Sequence, residues 1–370
     1  MVEGVRSIMV HEKKAWKTQK LSFVAKGLST HHSVSSLLNL KVTSMTNYQT
    51  TRRTFLKLGA AAMASSPLLA RAAWPDRPIR LIVPSAAGGS PDNICRILTS
   101  ELMKALGQPF VIDNKPGASG NIGMQEIVRA APDGYTLGYG NVGTLAINKS
   151  LFSKLPYDPE KQLVPVALLG YVQNALVVRN DLGVKNVAEL IALARSRPGK
   201  LSMASPGNGT TGHLGGELFK SMTGTFMTHV PYRGSPQAIQ DLMGGQVDLM
   251  FDNLSSIAPH IKNGRIKALG VSGRARSPLF PEVPAIGEFV KGYETTAWGG
   301  IVAPAGTPRD VVMRLNGEIN KVLGSAAVNE RYAAISFETT IGSPDRLFDR
   351  ALRETRMWTE VVKRAGVQVD

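Results

Sequence analysis

Short apolar runs alternate with helical patterns along most of this chain, and that alternation constrains its fold more than any other feature. Residues 79–84 form such a run before a helical pattern at 93–106, and residues 201–205 form another before a pattern at 212–222. Several runs are apolar at nearly every position, as strands covered on both faces are. The pattern predicts an α/β fold whose mainly parallel sheets are flanked by helices. The roughly 300 residues after position 73 exceed one doubly wound sheet, so we expect two lobes.

The first 72 residues read as a leader that precedes the folded part. The paired arginines Arg52 and Arg53 stand before a mildly apolar run at 58–70, which has 13 residues where a membrane-spanning helix needs about 20. Small residues at Ala70 and Ala72 then form an Ala-x-Ala cleavage pattern. This order resembles a twin-arginine export signal, so we expect a periplasmic protein.

The length of the leader is unusual for an export signal. Residues 45–72 would make a signal of ordinary length starting at Met45, so we interpret residues 1–44 as a start assigned too early. The alternative interpretation of the apolar run is a short buried helix near the start of a cytosolic protein.

The strongly basic charge of the chain says little about its partners. The net charge is +15, but residues 1–72 hold 11 Lys and Arg against two acidic residues, which leaves only +6 for the remainder. We therefore predict no nucleic-acid partner. The single cysteine, Cys95, excludes a disulfide within the chain and a multi-cysteine metal site, and we expect no metal and no cofactor.

The segment 84–92 has the composition of a ligand-binding turn between a strand and a helix. Gly88 and Gly89 let the backbone bend and approach a ligand without a Cβ in the way. Ser90 is expected to cap the following helix, and Asp92 lies in its first turn, where negative charge suits the helix dipole. The amides at such a helix start form an anion site.

A second segment, 205–213, repeats this arrangement. Gly207, Gly209 and Gly212 spell G-x-G-x-x-G, which by itself suggests a dinucleotide. That fingerprint needs an acidic residue at the end of the next strand, and the run at 227–232 is followed by Arg233 instead. We therefore exclude a dinucleotide site. Each loop taken alone is equally well explained as an ordinary capped turn.

Two such loops at the carboxyl ends of strands favour a ligand site, because α/β sheets bind ligands at that edge. If the loops belong to different lobes, two helix N-termini face each other across a cleft. Neutral main-chain amides would then hold a small carboxylate at both ends, with no buried arginine required.

A few further side chains are candidates for the same cleft. Tyr232 either lines it or is a core aromatic residue, and Asp252 either accepts from a ligand amine, braces the hinge or caps the next helix. Asn141 and Thr144 either reach a ligand carboxylate or stabilise a turn. No G-x-S-x-G elbow and no pair of histidines at metal-ligand spacing occurs after residue 73, so we predict no catalytic site and no enzyme.

Many short motifs, in order, resemble the tripartite tricarboxylate transporter substrate-binding proteins, the Bug family. The resemblance covers residues 74–370. The motifs lie at 78–84 with Gly88, Gly89 and Asp92, and at 114–123, 132–137, 207–214, 232–234, 244–248, 251–252, 259–264, 276–278 and 304–308.

The resemblance implies a two-lobed periplasmic binding protein of the type II, Venus-flytrap kind that closes on a small carboxylate. One lobe would span residues 74–174 and 299–370, and the other residues 175–298. Carried over motif by motif, the implied ligand-binding residues are Ala87, Gly88, Gly89, Ser90, Asp92, Thr144, Ser205, Gly207, Asn208, Gly209, Thr210 and Asp252. Tyr232 joins them from the residue analysis above.

The family usually has an aromatic residue directly after the proline of the first loop. Ser85 stands there in this chain, which leaves room for a larger or more polar ligand. The implied partners are the ligand, a di- or tricarboxylate, aromatic acid or amino-acid-like acid, and the permease subunits of a tripartite transporter, with the receptor a monomer. The alternatives are a ligand sensor for a signalling system and a cofactor-bearing periplasmic enzyme.

Overall fold

The computed structural model describes residues 74–367, so the predicted leader at 1–72 lies outside the described residues. The strands are β1 Ile79–Val83, β2 Phe110–Asn114, β3 Thr136–Asn141, β4 Leu163–Val178, β5 Ser202–Ser205, β6 Thr228–Pro231, β7 Leu249–Asn253, β8 Lys267–Val271, β9 Thr296–Pro304 and β10 Phe337–Thr339. The helices are α1 Ser90–Leu106, α2 Asn121–Arg129, α3 Asn148–Leu151, α4 Val187–Ser196, α5 Thr211–Thr223, α6 Ser235–Met243, α7 Leu254–Lys262, α8 Arg309–Leu323, α9 Ala326–Ala333 and α10 Arg346–Ala365.

The strands form one continuous, mixed sheet in the order β2-β1-β3-β9-β4-β7-β5-β6, with β8 and β10 also paired to β4. The outer strands pair in parallel, β1 with β2 and β3, and β5 with β6 and β7. The strands that cross the middle, β4 and β9, run antiparallel to their neighbours. We call the part built on β1, β2 and β3 the first half, and the part built on β5, β6 and β7 the second half.

Strand β4 runs through both halves. Its residues 163–173 pair with β9, and its residues 174–178 pair with β7 and β8. The sequence predicted two separate strands here, at 164–169 and 176–179, because the intervening segment includes Gly170, Gln173 and Asn174. The prediction was wrong because ladder hydrogen bonds to β9 and β10 hold that segment extended despite its polar side chains. The predicted lobe boundary after residue 174 falls at this change of partner and stays a prediction.

Two apolar cores support the two halves. The larger one includes Leu81, Leu98 and Ile301, and a separate one surrounds Met203, Phe219 and Phe251 in the second half. Burying each such side chain contributes about 1.5–3 kcal/mol, so each half has enough apolar contact to keep its own shape. Within residues 74–367, no helix combines the length and the apolar character that crossing a membrane requires.

Candidate functional site

A cleft of about 590 Å³ lies where the two halves meet. It opens at the carboxyl ends of β1, β3, β5, β6 and β7, the edge at which α/β sheets bind ligands. Its walls are residues 84–86, 90–91, 116–120, 122, 139, 141–144, 172, 206–212, 231–235, 252–253 and 297–298.

Five helices begin at the wall of this cleft. Besides α1 and α5, whose starts the sequence predicted, α2, α6 and α7 place their first residue or the residue before it in the lining. Each helix start carries a partial positive charge and amides without helical partners, so the cleft attracts anions from both halves. The sequence alone did not indicate that the three additional starts converge there.

The first loop is held in shape by Asp92, which is buried. Its carboxylate accepts from the Gly88 amide at 2.8 Å, from Arg96 Nε at 2.8 Å and from Asn114 Nδ2 at 3.1 Å. Burial acts to raise the pKa of Asp92, but these hydrogen bonds outweigh it and lower that pKa below its ordinary value. The helix cap differs from the prediction, since Gly89 is the cap residue of α1 and Ser90 is its first helical residue. The Ser90 hydroxyl is hydrogen-bonded to Ser255 instead.

The second loop is held by two histidines from its own half. The Gly209 amide donates to His213 Nδ1 at 3.1 Å, and the Thr210 hydroxyl caps α5 by accepting from the His213 amide. Ser205 Oγ is hydrogen-bonded to His229 Nε2 at 2.7 Å and accepts from the Gly207 amide at 3.2 Å. The two rings stack with centroids 3.9 Å apart.

Both histidines are neutral at physiological pH. Burial lowers the pKa of His213 to about 3 and that of His229 to about 4, and Lys220 lowers both further. A protonated His213 would lose the Nδ1 lone pair that accepts the Gly209 amide. The shape of the second loop therefore depends on an uncharged imidazole.

We expect this dependence to appear as lower stability in acid. His213 is protonated below about pH 6.5 in the unfolded chain but resists protonation down to about pH 3 when folded, so folding weakens as the pH falls through that window. Asn at this position keeps an acceptor near Nδ1 without titrating. Relative to His213→Asn, the wild type should lose about 2 kcal/mol of unfolding free energy between pH 6.5 and pH 4.5.

Urea unfolding at several pH values measures this difference, and the comparison cancels groups common to both proteins. His260→Asn is the matched control, because His260 lies on α7 away from the loop and its pKa is lowered only by partial burial and Arg265. Parallel stability curves for the wild type and His213→Asn would contradict the prediction.

Several loop amides predicted to meet a ligand are already bonded within the protein. The Gly89 amide donates to the Ala86 carbonyl and the Thr210 amide to the Gly207 carbonyl, besides those of Gly88, Gly207 and Gly209 described above. Among the described residues, Asn208 has no hydrogen-bond partner and lines the cleft. Its amide and its side chain are therefore available donors.

The structure places eight of the predicted site residues in the cleft wall and five outside it. Those in the wall are Ser90, Thr144, Gly207, Asn208, Gly209, Thr210, Tyr232 and Asp252. Those outside the lining are Ala87, Gly88, Gly89, Asp92 and Ser205. The buried members of this second group, Asp92 and Ser205, hold the loops in shape through hydrogen bonds within the protein.

The hydroxyls of Thr144 and Tyr232 have partners inside the protein. Thr144 Oγ1 accepts from the Asn141 amide at 3.1 Å and so stabilises the turn after β3. The Tyr232 hydroxyl donates to Asp241 at 2.7 Å, which leaves its ring and backbone to form the wall. Asp252 is different: its Oδ1 accepts from the Asn253 amide at 2.7 Å, and its Oδ2 has no partner among the described residues.

The residue analysis missed several parts of the wall. The segment 116–120 contributes a stretch in which Ala118 and Ser119 adopt positive φ angles, a strained conformation that is frequent at functional sites. Arg233 is the one cationic side chain among residues 74–367 that lines the cleft, and it is exposed. Both lie in motifs that carried the family resemblance, which was the available signal.

The two halves touch at the rim of the cleft. Ser255 at the start of α7 is hydrogen-bonded to Ser90, and its carbonyl accepts from Asn93 Nδ2 at 3.2 Å. A Cβ added to Gly234 would lie 2.6 Å from the Ala86 Cβ, so the walls are as close as their residues permit. The cleft is therefore closed on this side.

A sheet shared by two halves, with a closed cleft between them and helix N-termini in its walls, is the architecture of the solute-binding receptors. The chain belongs to the tripartite tricarboxylate transporter family of receptors, whose family model matches residues 94–367. The family resemblance seen in the sequence is thereby confirmed, and the family is one of receptors rather than enzymes.

Curated relatives have the same extent as this chain. Protein BugT of Bordetella pertussis is 37% identical over 300 residues, which are 80% of this chain and 91% of BugT. A relative in Bordetella bronchiseptica, known only as a member of an uncharacterised protein family, is 39% identical over 291 residues, 79% of this chain and 86% of that protein.

Solved structures show the same fold. The R. palustris protein Rpa4515 with adipate has a TM-score of 0.79 and 38% identity, and covers 80% of this chain and 100% of its own. The periplasmic binding protein BugD has a TM-score of 0.77 at 33% identity, and covers 80% of this chain and 100% of its own. MatC of Rhodopseudomonas palustris with bound malate has a TM-score of 0.75 at 33% identity, and covers 78% and 100%. The predicted fold, a two-lobed α/β periplasmic binding protein, is confirmed.

Proposed function

We propose that this protein is a periplasmic receptor that captures a small organic carboxylate between its halves and delivers it to a tripartite tricarboxylate-type transporter. The observation that carries the proposal is the convergence of five helix N-termini on one closed cleft. Their amides and partial positive charges suit an anion without a buried counter-charge, which would hold the ligand too firmly for release.

The ligands of the relatives support a dicarboxylate. Adipate occupies one solved neighbour and malate another, and both are small acids with two carboxylates. A cleft of about 590 Å³ is large enough for either acid. Ser85, where the family resemblance implies an aromatic ring, lines the cleft and leaves space and polarity on one wall.

The ligand contacts that we propose come from both halves. Ser90 contributes the start of α1, Thr144 the turn after β3, and residues 207–210 the start of α5. Asn208 donates from its free side chain, while Tyr232 and Asp252 line the second half. Closure brings these groups together around the anion and excludes water, so each hydrogen bond gains strength.

Thermal unfolding in the presence of candidate acids tests this function. Adipate, malate, succinate, citrate, benzoate and glutamate are compared, and a bound acid at a hundred times its Kd should stabilise the protein by about 2.7 kcal/mol. Dimethyl adipate is the matched control, because it keeps the chain length and lacks both charges. A protein that no acid stabilises, or that the ester stabilises equally, would contradict carboxylate binding.

A further inference from the structure

Asp252 is a buried carboxyl group that faces the cleft with one oxygen unused. It lies at the carboxyl end of β7, between β4 and β5 in the sheet, and is 2% exposed. Its Oδ1 accepts from the Asn253 amide at 2.7 Å, whereas its Oδ2 has no partner among the described residues. It does not cap α7, whose cap residue is Asn253. A polar atom left unpaired inside a closed ligand cleft points to a ligand group that pairs with it.

No charged group compensates Asp252 among the described residues. The elements packed against β7 are β4, β5, α5, α6 and α7. Their titratable side chains, with those of the adjoining cleft wall, are Tyr171, His213, Glu217, Lys220, Tyr232, Arg233, Asp241, His260 and Lys262. None of them shifts the pKa of Asp252. Burial raises that pKa to about 7, against a smaller lowering by Ser235 and the Asn253 amide.

The charge balance decides which ligand group meets Asp252. Closing the cleft around a carboxylate places a second negative charge in the space that Asp252 lines, and two carboxylates cannot both stay ionised at short range without water. Near neutral pH the acid form of Asp252 is accessible at little free-energy cost. In that form Oδ2 becomes a donor, which is what a ligand carboxylate oxygen requires.

We propose that Asp252 binds in its acid form and donates a hydrogen bond from Oδ2 to a carboxylate of the ligand, so that the receptor takes up a proton from solvent as it closes. This inference rests on the proposed function. It assigns the ligand to acids with two or more carboxylates, one for the helix starts and one for Asp252. An amino acid that offered its ammonium group would require the ionised form instead.

Calorimetry on the wild-type protein tests proton uptake directly. Adipate and malate are titrated at pH 7 in phosphate and in Tris, whose ionisation enthalpies differ, and the difference in observed enthalpy gives the protons bound per ligand. We expect about half a proton per ligand at pH 7, since Asp252 is about half protonated there before binding. From pH 6 to pH 8.5 the Kd should rise about thirtyfold.

The Asp252→Asn variant separates the protonation from the hydrogen bond. Asn keeps the shape of the acid form and supplies an N–H donor, so its Kd at pH 6 should stay within about threefold of the wild type and change little up to pH 8.5. Circular dichroism and thermal unfolding check that the variant is folded. The matched control is Asp310→Asn, an exposed carboxylate at the start of α8, which should keep the pH dependence of the wild type.

The outcomes separate this inference from the proposed function. Binding of adipate or malate with no proton uptake and a flat pH profile would overturn the role of Asp252 while leaving a carboxylate receptor. Preference for glutamate, with affinity that rises toward pH 8.5 and is lost in Asp252→Asn, would show the ionised form and overturn it as well. If no acid binds at any pH, the proposed function fails and this inference with it.

Discussion

Replacing Gly209 by alanine should weaken ligand binding by about a hundredfold while the protein stays folded. Gly209 has a φ of +70°, and a Cβ there would lie 2.3 Å from Leu151 Cδ2 on the opposite wall of the cleft. Leu151 is buried and cannot move aside. Overpacking of this kind costs about 1–3 kcal/mol, and it arises only when the halves close. A penalty near 2.7 kcal/mol on the closed form corresponds to a hundredfold change in Kd.

Gly245→Ala is the matched control for Gly209→Ala. Gly245 also lies in the second half and has a φ of +71°, but a Cβ there meets open space. Both variants carry the backbone strain of a left-handed alanine, about 1–2 kcal/mol, and should lose similar stability. Calorimetry with adipate and thermal unfolding measure both properties. Equal Kd values for the two variants would show that closure against Leu151 does not limit binding.

Removing the carboxylate of Glu354 should destabilise the fold by about 3–4 kcal/mol. Glu354 is buried on α10, and its Oε2 accepts from Trp298 Nε1 at 2.7 Å and Trp358 Nε1 at 3.1 Å, while its Oε1 is paired with Arg350. Glu354→Ala would leave two buried indole N–H groups and a guanidinium without their acceptor, and each such loss is expensive. The melting temperature should fall by about 8 °C.

The control is Glu360→Ala on the same helix, where the glutamate is exposed and faces Lys363 at 3.8 Å. That ion pair contributes little, so its removal should change the melting temperature by less than about 1 °C. Because Trp298 also lines the cleft, Glu354→Ala should weaken adipate binding as well. A melting temperature equal to that of Glu360→Ala would contradict the role assigned to Glu354.

The local elements of the fold could be predicted from the sequence because periodicity reports local structure. The runs at 79–84 and 201–205 form strands, and the helical pattern at 309–323 is a helix with the same bounds. Helix α7 was missed because its Pro259 is read as a break. The continuity of β4 was missed because pairing with distant strands overrides local composition.

The site could be predicted in part for a similar reason. The starts of α1 and α5 follow from glycine-rich turns that are visible in the sequence. The convergence of α2, α6 and α7 on the same cleft is a property of tertiary packing that no single segment encodes. Asp92 and Ser205 were expected in the wall, but a sequence does not show that their side chains already have partners within their own loops.

The five helix starts allow a receptor of this kind to change its preferred acid without losing its affinity for anions. Peptide groups attract the anion, and no point substitution deletes a peptide group. Side chains such as Ser85, Asn208, Arg233 and Asp252 decide only what shape and what second polar group accompany that anion. Relatives can therefore diverge toward different acids by exchanging a handful of residues, and the same few positions are where an engineer would begin to redirect this chain to a new metabolite.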